Sequence, residues 1–252
     1  MTSIFLTSSP TGPLDGSRPV DGLDAKNHFR EELRWRWRQR TEAKGCGLDC
    51  LMITAFPADI PASEEMTAFF RGVLEKEGFS YGRFDLLDDR WGQITAEELG
   101  SYDCIWLGGG HVPTQNAFFW RLGLREKLIG FDGIIIGISA GSMNSADWVY
   151  AEPEEEGEAI DPAYIRWLQG LNLTRTMLLP HYQMVRCKVL DGLRLYEDIV
   201  YKDSYGNEIL NLPDGSYLLC ENGEERIFGE AWLIKDGVNR QICADGQVLH
   251  WR

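Results

Sequence analysis

The sequence is short of positive charge, of histidine and of long apolar runs, and each shortage excludes a class of function. Its 252 residues carry 25 Lys+Arg against 39 Asp+Glu, a formal net charge of −14. Such a surface repels phosphate as a whole, and no nucleic-acid partner is expected. The longest nearly uncharged apolar stretch, Gly133 to Ala140, has eight residues, far below the roughly 18 that cross a bilayer, so no membrane partner is expected either. The N-terminus, Met1-Thr2-Ser3-Ile4-Phe5-Leu6, lacks the basic start and apolar stretch of a signal peptide. A cytoplasmic location follows as an expectation. The six cysteines include no Cys-x-x-Cys pair, and Cys46-x-x-x-Cys50 has no second pair nearby to complete four ligands. Neither a disulfide framework nor a metal site is expected.

What is present is the composition of a globular chain, 44% hydrophobic and 25% charged, read here as a single α/β domain over residues 1–252. Residues 3–8 form a short apolar strand ending at Ser8-Ser9-Pro10-Thr11-Gly12, and the polar stretch that follows to about 23 is a candidate active-site rim. From Asp24 the spacing predicts a helix with Phe29, Leu33 and Trp37 on one stripe and Arg30, Arg34 and Arg38 on another face. Within it, segment 30–40 interleaves Arg and Trp, which reads best as a solvated face and secondarily as a grip on a carboxylate-bearing ligand. Strands at 49–56, 79–87, 102–107 and 132–138 alternate with helices at 62–77, 94–99 and 114–128. The alternation predicts a mainly parallel sheet sandwiched by helices. The glutamate-rich segment 151–161 reads as a loop, 184–200 as a helix, and the turn signals Pro213-Asp214-Gly215, Asn222-Gly223, Asp236-Gly237 and Asp245-Gly246 as C-terminal β-hairpins.

Gly137-Ile138-Ser139-Ala140-Gly141 is a Gly-x-Ser-x-Gly sequence directly after the apolar strand that should feed it. A serine nucleophile at a strand-to-helix turn takes a strained backbone, and small neighbours let strand and helix approach. Gly108-Gly109-Gly110 follows the preceding strand, so both loops leave the same edge of a parallel sheet. The amides of Ala140 and Gly110 are candidate oxyanion donors. No Gly-x-x-x-x-Gly-Lys-Ser/Thr or Gly-x-Gly-x-x-Gly is present, which argues against a nucleotide site. Among four histidines, His28, His111, His181 and His250, the candidate base is His181, which follows the apolar run Met177-Leu178-Leu179-Pro180. His111 abuts the glycine cluster and is a candidate substrate contact. An acid between Ser139 and His181 would give the order Ser, acid, His, and Glu152, Glu154, Glu156 and Glu158 all qualify.

These residues together resemble the dipeptidase E family of serine peptidases, which includes aspartyl dipeptidases and cyanophycinases. The resemblance rests on Leu107-Gly108-Gly109-Gly110, the elbow Gly137 to Ser142, Ile160-Asp161-Pro162 leading to Leu179-Pro180-His181-Tyr182, and Leu212-Pro213-Asp214-Gly215. It implies a fold like that of class I glutamine amidotransferases, flavodoxin-like in its sheet, and hydrolysis of peptide bonds next to aspartyl residues without a cofactor. Carried over, Ser139 is nucleophile, His181 base, Gly110 and Ala140 oxyanion donors, and Glu156 the acid of a Ser-His-Glu triad. Gly109, His111 and Arg186 would contact a small peptide substrate, Arg186 by a bidentate hold on a carboxylate. A homodimer is a candidate assembly. His111 stands where members of aspartyl specificity usually show Asn, and segment 30–40 lengthens the connection between the first two strands. Two other functions compete: a ligand-binding protein without catalysis on the same scaffold, and an esterase, against which the spacing of 42 positions between Ser139 and His181 counts.

Overall fold

A computed structural model describes residues 2–13 and 22–252. The candidate rim, which follows Gly12 to about residue 23, therefore lies largely outside the described residues. Five strands build the centre: β1 (Ser3–Thr7), β2 (Leu48–Ile53), β3 (Tyr81–Leu87), β4 (Cys104–Leu107) and β5 (Ile134–Ile138). They run parallel in the order β1-β5-β4-β2-β3. Antiparallel strands Tyr217–Glu221, Glu224–Phe228 and Val248–His250 extend the sheet beyond β1. The chain thus has the mainly parallel α/β architecture expected, with antiparallel C-terminal strands.

The sheet is apolar on both faces because successive side chains of a strand point to opposite sides. Phe5, Cys50, Met52, Cys104, Trp106, Ile134 and Ile136 point to one face, where Phe29, Leu33 and Trp37 of helix α1 (Phe29–Lys44) and Phe70, Val73 and Leu74 of helix α2 (Ile60–Lys76) cover them. Ile4, Leu6, Leu51, Ile53, Ile105, Leu107 and Ile135 point to the other, against Phe118, Phe119 and Leu122 of the helix Val112–Leu122. Each such fully buried side chain stabilises the fold by about 1.5–3 kcal/mol. The Arg/Trp segment serves this packing. Arg36 is buried between Glu32 and Glu221, Arg34 pairs with Glu77 and Arg40 with Asp132.

A second sheet orders the strands Val238–Cys243, Ala231–Lys235, Glu208–Asn211 and Met177–Leu179, the last two parallel to each other. Between its strands the expected helix at 184–200 is replaced. A turn of helix, Tyr182–Val185, gives way to the tight hairpin Val189–Leu190/Leu193–Arg194, and helical backbone resumes only over 195–203. Asp191-Gly192 is the cause, since both residues have positive φ (52° and 79°), the conformation of a two-residue hairpin turn. The expected helix at 114–128 likewise breaks at Gly123, φ 62°. No helix among the described residues is long and apolar enough to cross a membrane.

Candidate active site

Parallel strands deliver their following residues to one edge, and two pairs of neighbours do so here. In the central sheet Thr7 is paired with Ile138, so Ser8 and Ser139 leave side by side, and the Ser139 amide donates to Thr7 O at 3.1 Å. In the second sheet Leu179 is paired with Asn211, which brings out His181 two residues later and Asp214 three residues later. Leu212 N donates to Leu179 O at 3.0 Å and Tyr182 N to Leu212 O at 3.3 Å, which carries the pairing up to the site.

Ser139 sits at φ 47°, ψ −109°, a strained conformation for a residue with a Cβ that costs about 1–3 kcal/mol and persists only where the surroundings enforce it. The enforcement comes from close packing at both flanking glycines. A Cβ on Gly137 would lie 2.9 Å from the backbone of Ser142, and one on Gly141 would lie 2.2 Å from Leu107 O. Ser142 Oγ also donates to Thr7 O and Thr7 Oγ1 to Gly137 O, both at 2.7 Å, which ties the elbow to β1. Ser139 is left half-buried, its hydroxyl at the sheet edge.

His181 Nε2 lies 2.9 Å from Ser139 Oγ and His181 Nδ1 lies 2.7 Å from Asp214 Oδ1. Asp214, not Glu156, is the carboxylate in contact with the imidazole. Glu156 is exposed on a turn of the acidic segment, and neither it nor Glu152, Glu154 or Glu158 is hydrogen-bonded to His181. The Asp214 side chain is 1% exposed, and donors surround it: Ser8 Oγ to Oδ1 at 2.5 Å and Gln183 Nε2 to Oδ2 at 2.7 Å, besides the imidazole. Ser8, wholly buried, also accepts from the His181 amide at 2.8 Å. Ser8, Gln183 and Asp214 escape the sequence reading as site residues. The available signal is that Ser8 and Asp214, like Ser139, stand just past strand ends.

The glycine loop packs against Ser139. A Cβ on Gly109 would fall 3.5 Å from Ser139 Cβ, and one on Gly110, φ 152°, would fall 2.7 Å from Ala55 Cβ and from the Phe56 ring. The amides of Gly110 and Ala140 have no intramolecular acceptor among the described residues. His111, next in sequence, is held by Thr114 Oγ1 at its Nδ1 and Glu158 Oε1 at its Nε2, both at 2.8 Å. Its ring is therefore committed to the acidic segment. His111, Glu155 and Glu158 offer ligand atoms within 4.8 Å of one another; His111 Nε2 contacts Glu158 Oε1, and the Glu154 and Glu155 amides donate to Glu158 Oε2. Arg186 is exposed, its guanidinium over the Tyr182 ring at 5.6 Å, with no carboxylate partner among the described residues. Of the remaining histidines, His28 is exposed at the start of α1 and His250 lies in an edge strand opposite Arg226.

The acidic segment is less exposed than its composition suggests. Burial pushes the Glu152 carboxyl up to about 8, with the charge of Glu154 adding to it, and burial likewise pushes Glu154 to about 8, with Glu158 adding. Lys188, whose Nζ donates to Glu154 O at 3.0 Å, opposes both shifts.

A parallel α/β sheet bearing a strained serine at a glycine-flanked elbow, with a histidine in hydrogen-bond reach, defines a class of hydrolases that work through an activated hydroxyl. The comparisons narrow that class. The family model for peptidase family S51 matches residues 57–228, and the chain belongs to that family. Two solved structures share the fold. A peptidase from an acI-B1 Actinobacterium aligns with a TM-score of 0.66 at 15% identity, covering 99% of this chain and 97% of that one. A protein assigned as peptidase E from Listeria monocytogenes EGD-e aligns with a TM-score of 0.51 at 16% identity, covering 96% and 99%. No curated protein matches the chain.

Proposed function

We propose that the protein is a serine peptidase acting on short peptides through Ser139, His181 and Asp214. The observation that carries this reading is the imidazole of His181 bridging Ser139 Oγ at 2.9 Å and Asp214 Oδ1 at 2.7 Å. Asp214 holds the proton on Nδ1, so Nε2 is the accepting nitrogen. Ser139 Oγ attacks the scissile carbonyl carbon while Nε2 takes its proton, and the amides of Gly110 and Ala140 receive the oxyanion. Collapse of the tetrahedral intermediate breaks the C–N bond, with the imidazolium returning its proton to the leaving amine. A water activated by the same nitrogen then releases the acyl group and restores Ser139. The family supports the peptidase assignment, and a dipeptide substrate, including an aspartyl one, is the specific form proposed.

The test is labelling of the full-length protein by a fluorophosphonate, with mass location of the adduct, followed by a dipeptide library. An adduct on Ser139 that disappears in Ser139→Ala and His181→Ala is the expected result. No adduct and no hydrolysis would leave a ligand-binding role on this scaffold as the better reading.

A further inference from the structure

Gln183 makes two reciprocal bonds to a single residue. Its Nε2 donates to Asp214 Oδ2 at 2.7 Å, and its Oε1 accepts from the Asp214 backbone amide at 3.0 Å. The orientation of the amide is fixed by chemistry. A backbone N–H can only donate, so the atom facing it is oxygen and the NH2 faces the carboxylate. Turned over, the amide would set two donors against each other at one end and two acceptors at the other. The protonation of Asp214 is constrained in the same way. A proton on Oδ2 would point at the Gln183 NH2, and Oδ1 already meets the Ser8 hydroxyl at 2.5 Å and the imidazole at 2.7 Å. A carboxylate that accepts at both oxygens is favoured in its ionised form although its side chain is 1% exposed, and an ionised Asp214 leaves the proton between it and the imidazole on His181 Nδ1. Gln183 is in the helix Tyr182–Val185 directly after His181, so one short segment carries both the base and the clamp on its acid.

We propose that Gln183 is a positioning residue that keeps Asp214 ionised and aligned with the imidazole, so that His181 Nε2 remains the accepting nitrogen. The inference rests on the serine peptidase reading and goes one residue beyond the triad. Gln183 touches neither Ser139 nor the reacting atoms; it acts through Asp214.

The experiment uses full-length protein with 15N-labelled histidine, comparing wild type, Gln183→Leu and Gln183→Glu. Two quantities are read: the His181 titration and tautomer in the free protein by NMR, and the pH dependence of kcat and KM on a dipeptide. In Gln183→Leu the lost donor leaves more of the Asp214 charge to the imidazolium, so the His181 titration and the acid limb of kcat/KM both move up by about half a pH unit. Its kcat falls about tenfold, as expected for a lost hydrogen bond to a charged group, while KM stays within about twofold. Gln183→Glu sets a second carboxyl against Oδ2, and one shared proton rebuilds both bonds. That variant retains near wild-type kcat while the shared proton is held and loses it above the pair's upper titration, which gives a new alkaline limb absent from Gln183→Leu.

A Gln183→Leu protein with wild-type kcat and an unmoved His181 titration overturns the proposal, even if its Tm drops, because that pattern is purely structural. Should Gln183→Leu not fold, Gln183→Glu without the alkaline limb overturns it as well. The NMR titration needs no substrate. A shifted His181 in a protein that hydrolyses nothing would uphold the clamp and refute the peptidase reading, so the two failures are separable.

Discussion

Replacing Asp214 by asparagine changes one atom in a site where every hydrogen bond has a fixed direction. The new side-chain amide can place its NH2 at either carboxylate position. At the Oδ2 position the NH2 would face the Gln183 NH2 across 2.7 Å, and Gln183 cannot turn over without setting its NH2 against the backbone N–H of the same residue. At the Oδ1 position the NH2 can donate to Ser8 Oγ and to His181 Nδ1, which costs no clash but demands the other imidazole tautomer. The second arrangement wins. His181 then carries its proton on Nε2, facing Ser139 Oγ at 2.9 Å, and no longer accepts the hydroxyl proton. Loss of the correct tautomer is worth about 10³- to 10⁴-fold in kcat, or about 4–5 kcal/mol of transition-state stabilisation. The assay is kcat/KM on the best dipeptide of the library, with 15N chemical shifts of His181 reporting the tautomer and Glu156→Gln as control. Glu156→Gln should stay within about twofold of wild type, since a surface substitution clear of the site has little to disturb. An Asp214→Asn protein within tenfold of wild type, with His181 still protonated on Nδ1, would refute the assignment of Asp214 as the acid.

Gly110→Ala forces a Cβ to within 2.7 Å of Ala55 and the Phe56 ring at φ 152°; the loop must move, and kcat should fall about 10²-fold, as for loss of one oxyanion donor, with KM changed far less. Glu152→Gln should raise stability at pH 8 and leave it unchanged at pH 4. The wild-type carboxyl titrates at about 8 in the folded protein against 4.5 unfolded; its stability contribution is complete below 4.5 and is lost as pH rises through 8, so removing the titration gains on the order of 4 kcal/mol at the upper end. Urea denaturation at both pH values measures this, and equal gains at both would refute it. Arg36→Met should destabilise by about 2–3 kcal/mol in thermal unfolding, because it leaves Glu221 without the guanidinium that holds both its oxygens at 2.9 Å; a change below about half a kcal/mol would show that its other partners, the Ser3 hydroxyl at 2.6 Å and Arg226 at 3.5 Å, suffice for that carboxylate.

The parts of the site that are legible in the sequence are those written in consecutive residues. Gly-Ile-Ser-Ala-Gly encodes its own geometry, because the strand, the strained serine and the two close approaches at Gly137 and Gly141 all fall within five positions. The parallel sheet is legible for the same reason, since two-faced apolar strands such as Ile134–Ile138 declare their burial locally. Asp214 is not legible by that route. Its place beside His181 depends on the strands Met177–Leu179 and Glu208–Asn211 pairing in parallel across roughly 30 residues of intervening chain, and the expectation of an acid between serine and histidine directs attention to a glutamate-rich loop instead. The sequence Pro213-Asp214-Gly215 reads only as a turn. It is one, with Gly215 at φ 87°, and a turn that follows a strand at the catalytic edge is also where a carboxylate can be delivered. The helix expected at 184–200 fails for a simpler cause, the Asp191-Gly192 turn signal lying within an otherwise helical spacing.

The catalytic groups come from two sheets, and this makes Ser8 the joint between them. Ser139 is carried by the central sheet, His181 and Asp214 by the smaller one. A nucleophile and a base held by separate sheets keep a 2.9 Å contact only if something fixes one sheet edge against the other. Ser8 does so with a single hydroxyl. It continues β1 in the central sheet, donates to Asp214 Oδ1 at 2.5 Å and accepts from the His181 amide at 2.8 Å. Its removal by Ser8→Ala should therefore act on geometry more than on charge. The His181 amide would lose its acceptor in a buried setting, at about 1–3 kcal/mol, and the Ser139 to His181 contact would loosen. Stability and kcat should fall together, with KM nearly unchanged. Ser8→Thr keeps the hydroxyl and should recover part of both. If Ser8→Ala instead lowers Tm while kcat stays at the wild-type value, the alignment of the two sheets at this edge does not depend on Ser8, and the packing beneath the site is sufficient to hold the triad in register.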